Sequence, residues 1–148
     1  MSRITIRPLG LTDIDAAAAI FRRAMLTVAC FDEHLHSAEE DRAHWREQLF
    51  PNGEIIGAFA DQALVGQIAL APGWINQLHV DPDWHGRGIG SAMLDTVKAQ
   101  RAGLQLWTFQ ANLGARRFYE RHGFMAVEFT DGEGNEEKLP DVRYRWLR

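Results

Sequence analysis

The chain has 148 residues, 46% of them hydrophobic and 24% charged, with a net charge of −4 and a single cysteine. That is the composition of one globular domain with a real core, here taken over residues 1–148, so disordered and fibrous classes drop out. The acidic balance argues against nucleic acid, whose phosphates demand a basic face, and Cys30 alone can form neither an intrachain disulfide nor a multi-cysteine zinc site.

Along the chain, Arg3 to Arg7 alternates polar and apolar residues and predicts a strand with one buried face. Thr12 is placed to cap a helix, with Asp15 three residues on; Ile14, Ala17, Ala18, Phe21 and Met25 then share a helical face. A loop follows from Ala29 to His36, and the apolar setting of Cys30 predicts a buried, inert thiol. Ser37 opens a second helix with acids in its first turn, where the helix dipole favours them, and Pro51-Asn52-Gly53 stops it. Ile55 to Ala60 and Ala63 to Ala71 read as strands joined by a hairpin at Asp61-Gln62, and Trp74 to Val80 is a third strand. A helix over Gly88 to Arg101, a strand over Leu104 to Phe109 and a short helix over Asn112 to His122 come next, with Gly123 as its C-cap. Met125 to Thr130 is a strand, Asp131 to Asp141 a polar loop, and Val142, Tyr144 and Trp146 mark a last half-buried strand. The order β-α-α-β-β-β-α-β-α-β-β predicts a mixed α/β layer. No apolar run nears the roughly 18 residues of a spanning helix. No basic region followed by an apolar run opens the chain, so a soluble cytoplasmic protein without a membrane partner is expected.

The stretch "DWHGRGIGSAML" leads from a strand into a helix. A helix N-terminus presents unpaired backbone N–H groups and the positive end of the dipole, and glycines let an anion approach them. Two phosphate loops fail here. A Walker A loop needs Lys-Ser or Lys-Thr where Ser91-Ala92 stands, and the dinucleotide fingerprint would need a third glycine at Ser91.

The spacing instead resembles another family. "LHVDPDWHGRGIGSAML" is similar to the acyl-CoA motif of the GNAT superfamily of N-acetyltransferases, Gln/Arg-x-x-G-x-G/A, with Gly88 and Gly90 in the glycine places and His85 where Gln or Arg is usual. "NLGARRFYERHGF" resembles the family's Asn-x-x-A-x-x-F-Y-x-x-x-GF segment. The resemblance implies a mixed, mostly antiparallel sheet flanked by helices, with a splayed central strand pair that holds CoA. It implies acetyl-CoA as cosubstrate and an amine as acceptor, with no metal. Leu78, His79 and Val80 would lie along the pantetheine arm. Gly86, Arg87, Gly88, Ile89, Gly90 and Ser91 would wrap the pyrophosphate, and Asn112 would bond the pantetheine or cap its own helix. Tyr119 matches the family's usual general acid. Tyrosine's ordinary pKa of about 10 exceeds a thiol's of about 8.5, so it is protonated when the CoA sulfur leaves.

For the base, the strand position where some members carry Glu lies near Trp74, which cannot serve. Asn76 could hold a water, His79 could act directly, and a water chain to solvent leads the candidates. Asp32, Glu33, Glu133, Glu136 and Glu137 would give the acceptor cleft a negative rim for a cationic amine, beside a wall of Phe31, Trp74 and Trp107. The acceptor could be a small amine, a protein N-terminus or a lysine. A non-catalytic acyl-CoA sensor of the same fold is the alternative, and an edge strand leaves room for a homodimer.

Overall fold

The computed structural model describes residues 3–148. Seven strands form one sheet: β1 (Ile4–Pro8), β2 (Glu54–Ala60), β3 (Ala63–Ala71), β4 (Trp74–Val80), β5 (Gly103–Phe109), β6 (Met125–Phe129) and β7 (Asp141–Leu147). Their order is β1-β2-β3-β4-β5-β7-β6, and every neighbouring pair is antiparallel except β4 with β5. Four helices flank it: α1 (Ile14–Met25), α2 (Ala38–His44, continued by a π-turn over Trp45–Leu49), α3 (Ile89–Lys98) and α4 (Leu113–Arg121).

Helices cover both faces of the β2–β3 region, which is why those strands read as continuous apolar runs. On one face Ile14, Ala17 and Ala18 of α1 and Trp45 pack on Ile55, Phe59 and Ala69. On the other, Ile89, Met93, Leu94 and Val97 of α3 and Tyr119 of α4 pack on Ile56, Ala58, Ile68, Leu106, Val142 and Tyr144. Toward β6 only the second face is covered, so β7 alternates buried Val142 and Tyr144 with Arg143 and Arg145.

Local signals decide most boundaries. Ser37 Oγ accepts the Glu40 N–H and the Glu40 side chain returns the bond, a complete capping box. Gly123 takes φ +85 after α4, a left-handed stop that a side chain would resist. Thr12 is not the cap of α1. It lies inside a 3-10 turn, Leu11–Asp13, that starts the helix early, and the carboxylate that closes this turn is Asp13, accepting the Gly10 N–H at 2.9 Å. Cys30 is also displaced from expectation: the loop after α1 carries it to the rim of a cleft, where it is half-buried.

Candidate active site

The one parallel contact of the sheet is brief. Trp74 pairs with Gln105, and the Gln105 N–H donates to the Gly73 carbonyl at 2.9 Å. No further β4–β5 pair follows among the described residues, so the two strands diverge into a fork. The fork opens into a cleft of about 1580 Å³.

A bulge prepares the β4 side of this fork. Gln77 pairs with Ala69 and Ile75 with Leu70, leaving Asn76 as the extra, exposed residue. Gly73 faces β5 before the bulge, and the inserted residue switches the parity after it. Asp81 N–H donates to the Val65 carbonyl at 2.8 Å. By ladder alternation His79 and Gln77 then bond β3, while Leu78 and Val80 turn their N–H and C=O groups into the fork. Leu78 and Val80 thus form a half-strand edge without a partner strand, with their side chains against the main core.

At the head of the fork stands the N-terminus of α3. Gly88 caps it at φ +77 and Gly86 takes φ +75, conformations that favour glycine. A Cβ built on either meets nothing within 4 Å, so the space beside this loop is open. The first helical bond runs from Ala92 N–H to the Gly88 carbonyl, which leaves the preceding amides of Ile89, Gly90 and Ser91 without intrahelical partners. Gly90 has a different reason to be small: a Cβ there would sit 3.3 Å from the Phe118 ring, so Gly90 permits α3 to pack on α4. Arg87 lays its guanidinium over the Trp84 ring, 4.5 Å from the centroid. His85, the unusual letter of the motif, folds back so that its Nε2 lies 2.9 Å from the Val80 carbonyl.

Tyr119 lines the cleft from α4. Its ring packs between Phe118, Phe124 and Tyr144, and its hydroxyl makes no hydrogen bond among the described residues. Burial pushes its pKa above the ordinary value, so the phenol keeps its proton at any physiological pH. Asn112 lines the cleft too, and its Oδ1 caps α4 by accepting the Ala115 N–H at 3.2 Å. His79 sits on the α1 face, ringed by Phe21 and Trp45, with Nε2 2.6 Å from Gln77 Oε1. That apolar enclosure lowers its pKa to about 4. The ring is therefore neutral at physiological pH, and with Gln77 Oε1 accepting, its proton is assigned to Nε2.

The description "Acetyltransferase (GNAT) domain" belongs to the family model that matches residues 32–126, a span that contains the fork, the glycine loop and α4. The chain belongs to the GNAT acetyltransferase family. Among its relatives, the uncharacterized N-acetyltransferase YafP of Escherichia coli is 31% identical over 134 residues, covering 86% of this chain and 85% of that protein. The GNAT fold is matched by the solution structure of the apo form of YjaB from Escherichia coli, with a TM-score of 0.78 at 20% identity over 97% of both chains. It is matched equally by the PaiA N-acetyltransferase of Thermoplasma acidophilum in complex with coenzyme A, with a TM-score of 0.76 at 21% identity over 99% of both chains. The protein is therefore an acyltransferase of the GNAT type, and its sheet is the mixed, mostly antiparallel one expected from the motifs.

In this GNAT domain the sequence-derived site residues divide. Leu78, His79, Val80, Gly86, Gly88, Ile89, Gly90, Ser91, Asn112, Tyr119 and Asn76 all line one cleft. Arg87 is not in that lining and stays stacked on Trp84. Trp74 stays at the root of the fork, while Phe31 and Trp107 do reach the cleft wall. Of the acidic rim, Asp32 and Glu137 line the cleft, and Glu136 instead binds His36 at 2.8 Å, tying the loop after α1 to the loop before β7. The His36–Glu136 contact and that of Ser91 with His122 were not readable from spacing, because each joins segments far apart in the chain. His85 and Val80 are only five residues apart, but their contact depends on the turn between them.

Proposed function

We propose that the protein transfers an acetyl group from acetyl-CoA to a primary amine by direct attack within a ternary complex. The observation that carries this reading is the fork itself: an unpaired half-strand at Leu78 and Val80 that ends at an open, glycine-rich helix N-terminus. The half-strand would take the pantetheine amides as an added strand does. His85 engages the Val80 carbonyl, so the arm would depend chiefly on Leu78 and the Val80 N–H. The amides of Ile89, Gly90 and Ser91 would hold the pyrophosphate. The Thermoplasma protein of like fold is a complex with coenzyme A, which supports CoA as the ligand of this fold.

The two halves of the cleft differ in charge. Beside the α3 N-terminus the lining includes Arg121, whereas the opposite mouth carries Asp32 and Glu137 with Phe21, Phe31 and Leu35. An anionic cosubstrate fits the first half, and a cationic amine with an apolar body fits the second.

In the reaction the neutral amine nitrogen attacks the thioester carbon, and the carbonyl π electrons move to oxygen. The intermediate collapses as the C–S bond breaks and the sulfur leaves with its electron pair. Tyr119 is the donor for that sulfur. Its raised pKa makes it a hydrogen-bond donor to the thiolate first and a proton source only as the sulfur gains charge. The amine must shed a proton to attack. His79 is too weak a base to store it, so the proton leaves through water in the open cleft, with Asn76 at the exposed bulge as a water-holding group. The second proton, which the nitrogen gives up after the attack, follows the same water and restores the one Tyr119 passes to the sulfur. His79 Nδ1 remains a lone-pair acceptor that can orient the incoming amine or its water.

The test is acetyl-CoA turnover against a panel of amines, read as free thiol and as acetylated product by mass. Amine-dependent thiol release supports the transferase. Tight CoA binding with no release above background from any amine would make the protein a sensor of acyl-CoA instead.

A further inference from the structure

Ser91 Oγ lies 2.9 Å from His122 Nε2. Ser91 is in the first turn of α3, lines the cleft and stands among the unpaired amides described above. His122 follows α4 directly and bridges the two helices. Its ring packs on Phe118 with centroids 4.7 Å apart, its Nδ1 lies 4.0 Å from Asp95 Oδ1, and its carbonyl accepts Lys98 Nζ at 2.8 Å. The charged groups facing it are Asp95 and Lys98 from α3 and Arg121 from α4.

We infer that His122 is a positioning residue for the Ser91 hydroxyl, and that docking of a pyrophosphate at the α3 N-terminus is coupled to protonation of the His122 ring. The inference rests on the reading of that helix end as the CoA pyrophosphate site. In the free protein, Asp95 favours the proton on Nδ1, which leaves Nε2 as an acceptor. The Ser91 O–H then points at the ring and turns its lone pairs toward the cleft, the wrong direction for an anion. Once the ring carries a second proton, Nε2–H donates to Ser91 Oγ, and the hydroxyl is free to donate to a phosphate oxygen. A nearby dianion favours the imidazolium. Burial, with Lys98 and Arg121, lowers the pKa of His122 in the free protein against the opposing pull of Asp95. The ring is thus poised to gain a proton on binding, and affinity rises as pH falls.

Dephospho-CoA is the probe, because it keeps the pyrophosphate and lacks the 3′-phosphate that would titrate in the same range. Calorimetric titration is run from pH 6.0 to 8.0 in buffers of different ionisation enthalpy, on wild type, His122→Gln and Ser91→Ala. Wild type is expected to bind up to about tenfold more tightly at pH 6.0, as a one-unit rise in pKa would give, with proton uptake visible as buffer-dependent heat. Gln at 122 can still donate to Ser91 but cannot titrate, so His122→Gln binds with a flat pH profile. Ser91→Ala loses the dependence as well. A wild type that binds with no pH dependence, or a His122→Gln variant that keeps it, overturns the coupling and leaves the CoA site standing. If neither CoA nor dephospho-CoA binds wild type, the pyrophosphate site itself falls and the coupling with it.

Discussion

Trp74 and Gln105 form the single registered pair between β4 and β5 among the described residues. Everything the site can do follows from how early that pairing ends. Parallel strands joined by a helix normally continue their ladder. Here the bulge at Asn76 follows just two residues later and turns the polar edge of Leu78 and Val80 into open space. A sheet that gives up backbone hydrogen bonds in its centre leaves that edge for a ligand or water to satisfy.

The glycine loop tests this use of the space. Gly88 has φ +77, so most side chains would strain the backbone as well as fill the site. Asp tolerates the left-handed region better than most residues and has room at position 88. Gly88→Asp is expected to fold with a melting temperature within a few degrees of wild type, yet bind CoA at least about tenfold more weakly, since its carboxylate faces the pyrophosphate. Calorimetry alongside thermal unfolding separates the two effects, and unchanged CoA affinity counts against the loop.

Tyr119→Phe removes one hydroxyl that has no hydrogen-bond partner among the described residues, so stability should change by less than about 1 kcal/mol. CoA affinity should also hold. Loss of the donor to the leaving sulfur is expected to lower kcat by about a hundredfold. Steady-state kinetics with the best amine of the panel would show it, and an unchanged kcat would remove Tyr119 from the mechanism.

His79 makes stability depend on pH. Its pKa falls from the ordinary 6.5 to about 4 in the folded chain. Below pH 6.5 the unfolded chain takes up a proton that the folded chain refuses, so stability is lost as pH falls from about 6.5 toward 4, by on the order of 3 kcal/mol. Above 6.5 both states are neutral at this site and the effect vanishes. Urea unfolding at successive pH values should show this acid limb, and His79→Gln should flatten it.

The acidic mouth makes its own prediction. Glu137→Gln combined with Asp32→Asn removes two carboxylates from the cleft lining. The KM for a cationic amine should rise several-fold, with kcat nearly unchanged, and the difference from wild type should shrink at high salt. A neutral amine of the same shape should show no such change. Equal effects on both amines would assign the mouth a structural role.

Much of this was legible in the chain before folding. Alternation and turn residues located all seven strands, and the glycines and the "NLGARRFYERHGF" segment marked stretches that line one cleft, because those signals are local. What was not legible is what depends on distance. Thr12 looked like a cap until the 3-10 turn passed that role to Asp13. Gly86, Gly88 and Gly90 all line the cleft, but a Cβ on Gly86 or Gly88 would meet open space, while one on Gly90 would press on Phe118. Spacing left His79 as one candidate for the base beside Asn76 and water, and could not show the apolar packing against Phe21 and Trp45 that lowers its pKa. The bulge that settles which β4 residues face the fork appears only in the pairing with β3.

The central claim is that CoA occupies the fork with its arm along β4 and its pyrophosphate on α3. Backbone amide spectra recorded during a CoA titration test it most directly. The account predicts that the largest shifts fall on Leu78, Val80 and the amides from Gly86 to Ser91, with the β1–β2 end of the sheet unmoved. Saturable binding that shifts other amides and leaves these in place would contradict it.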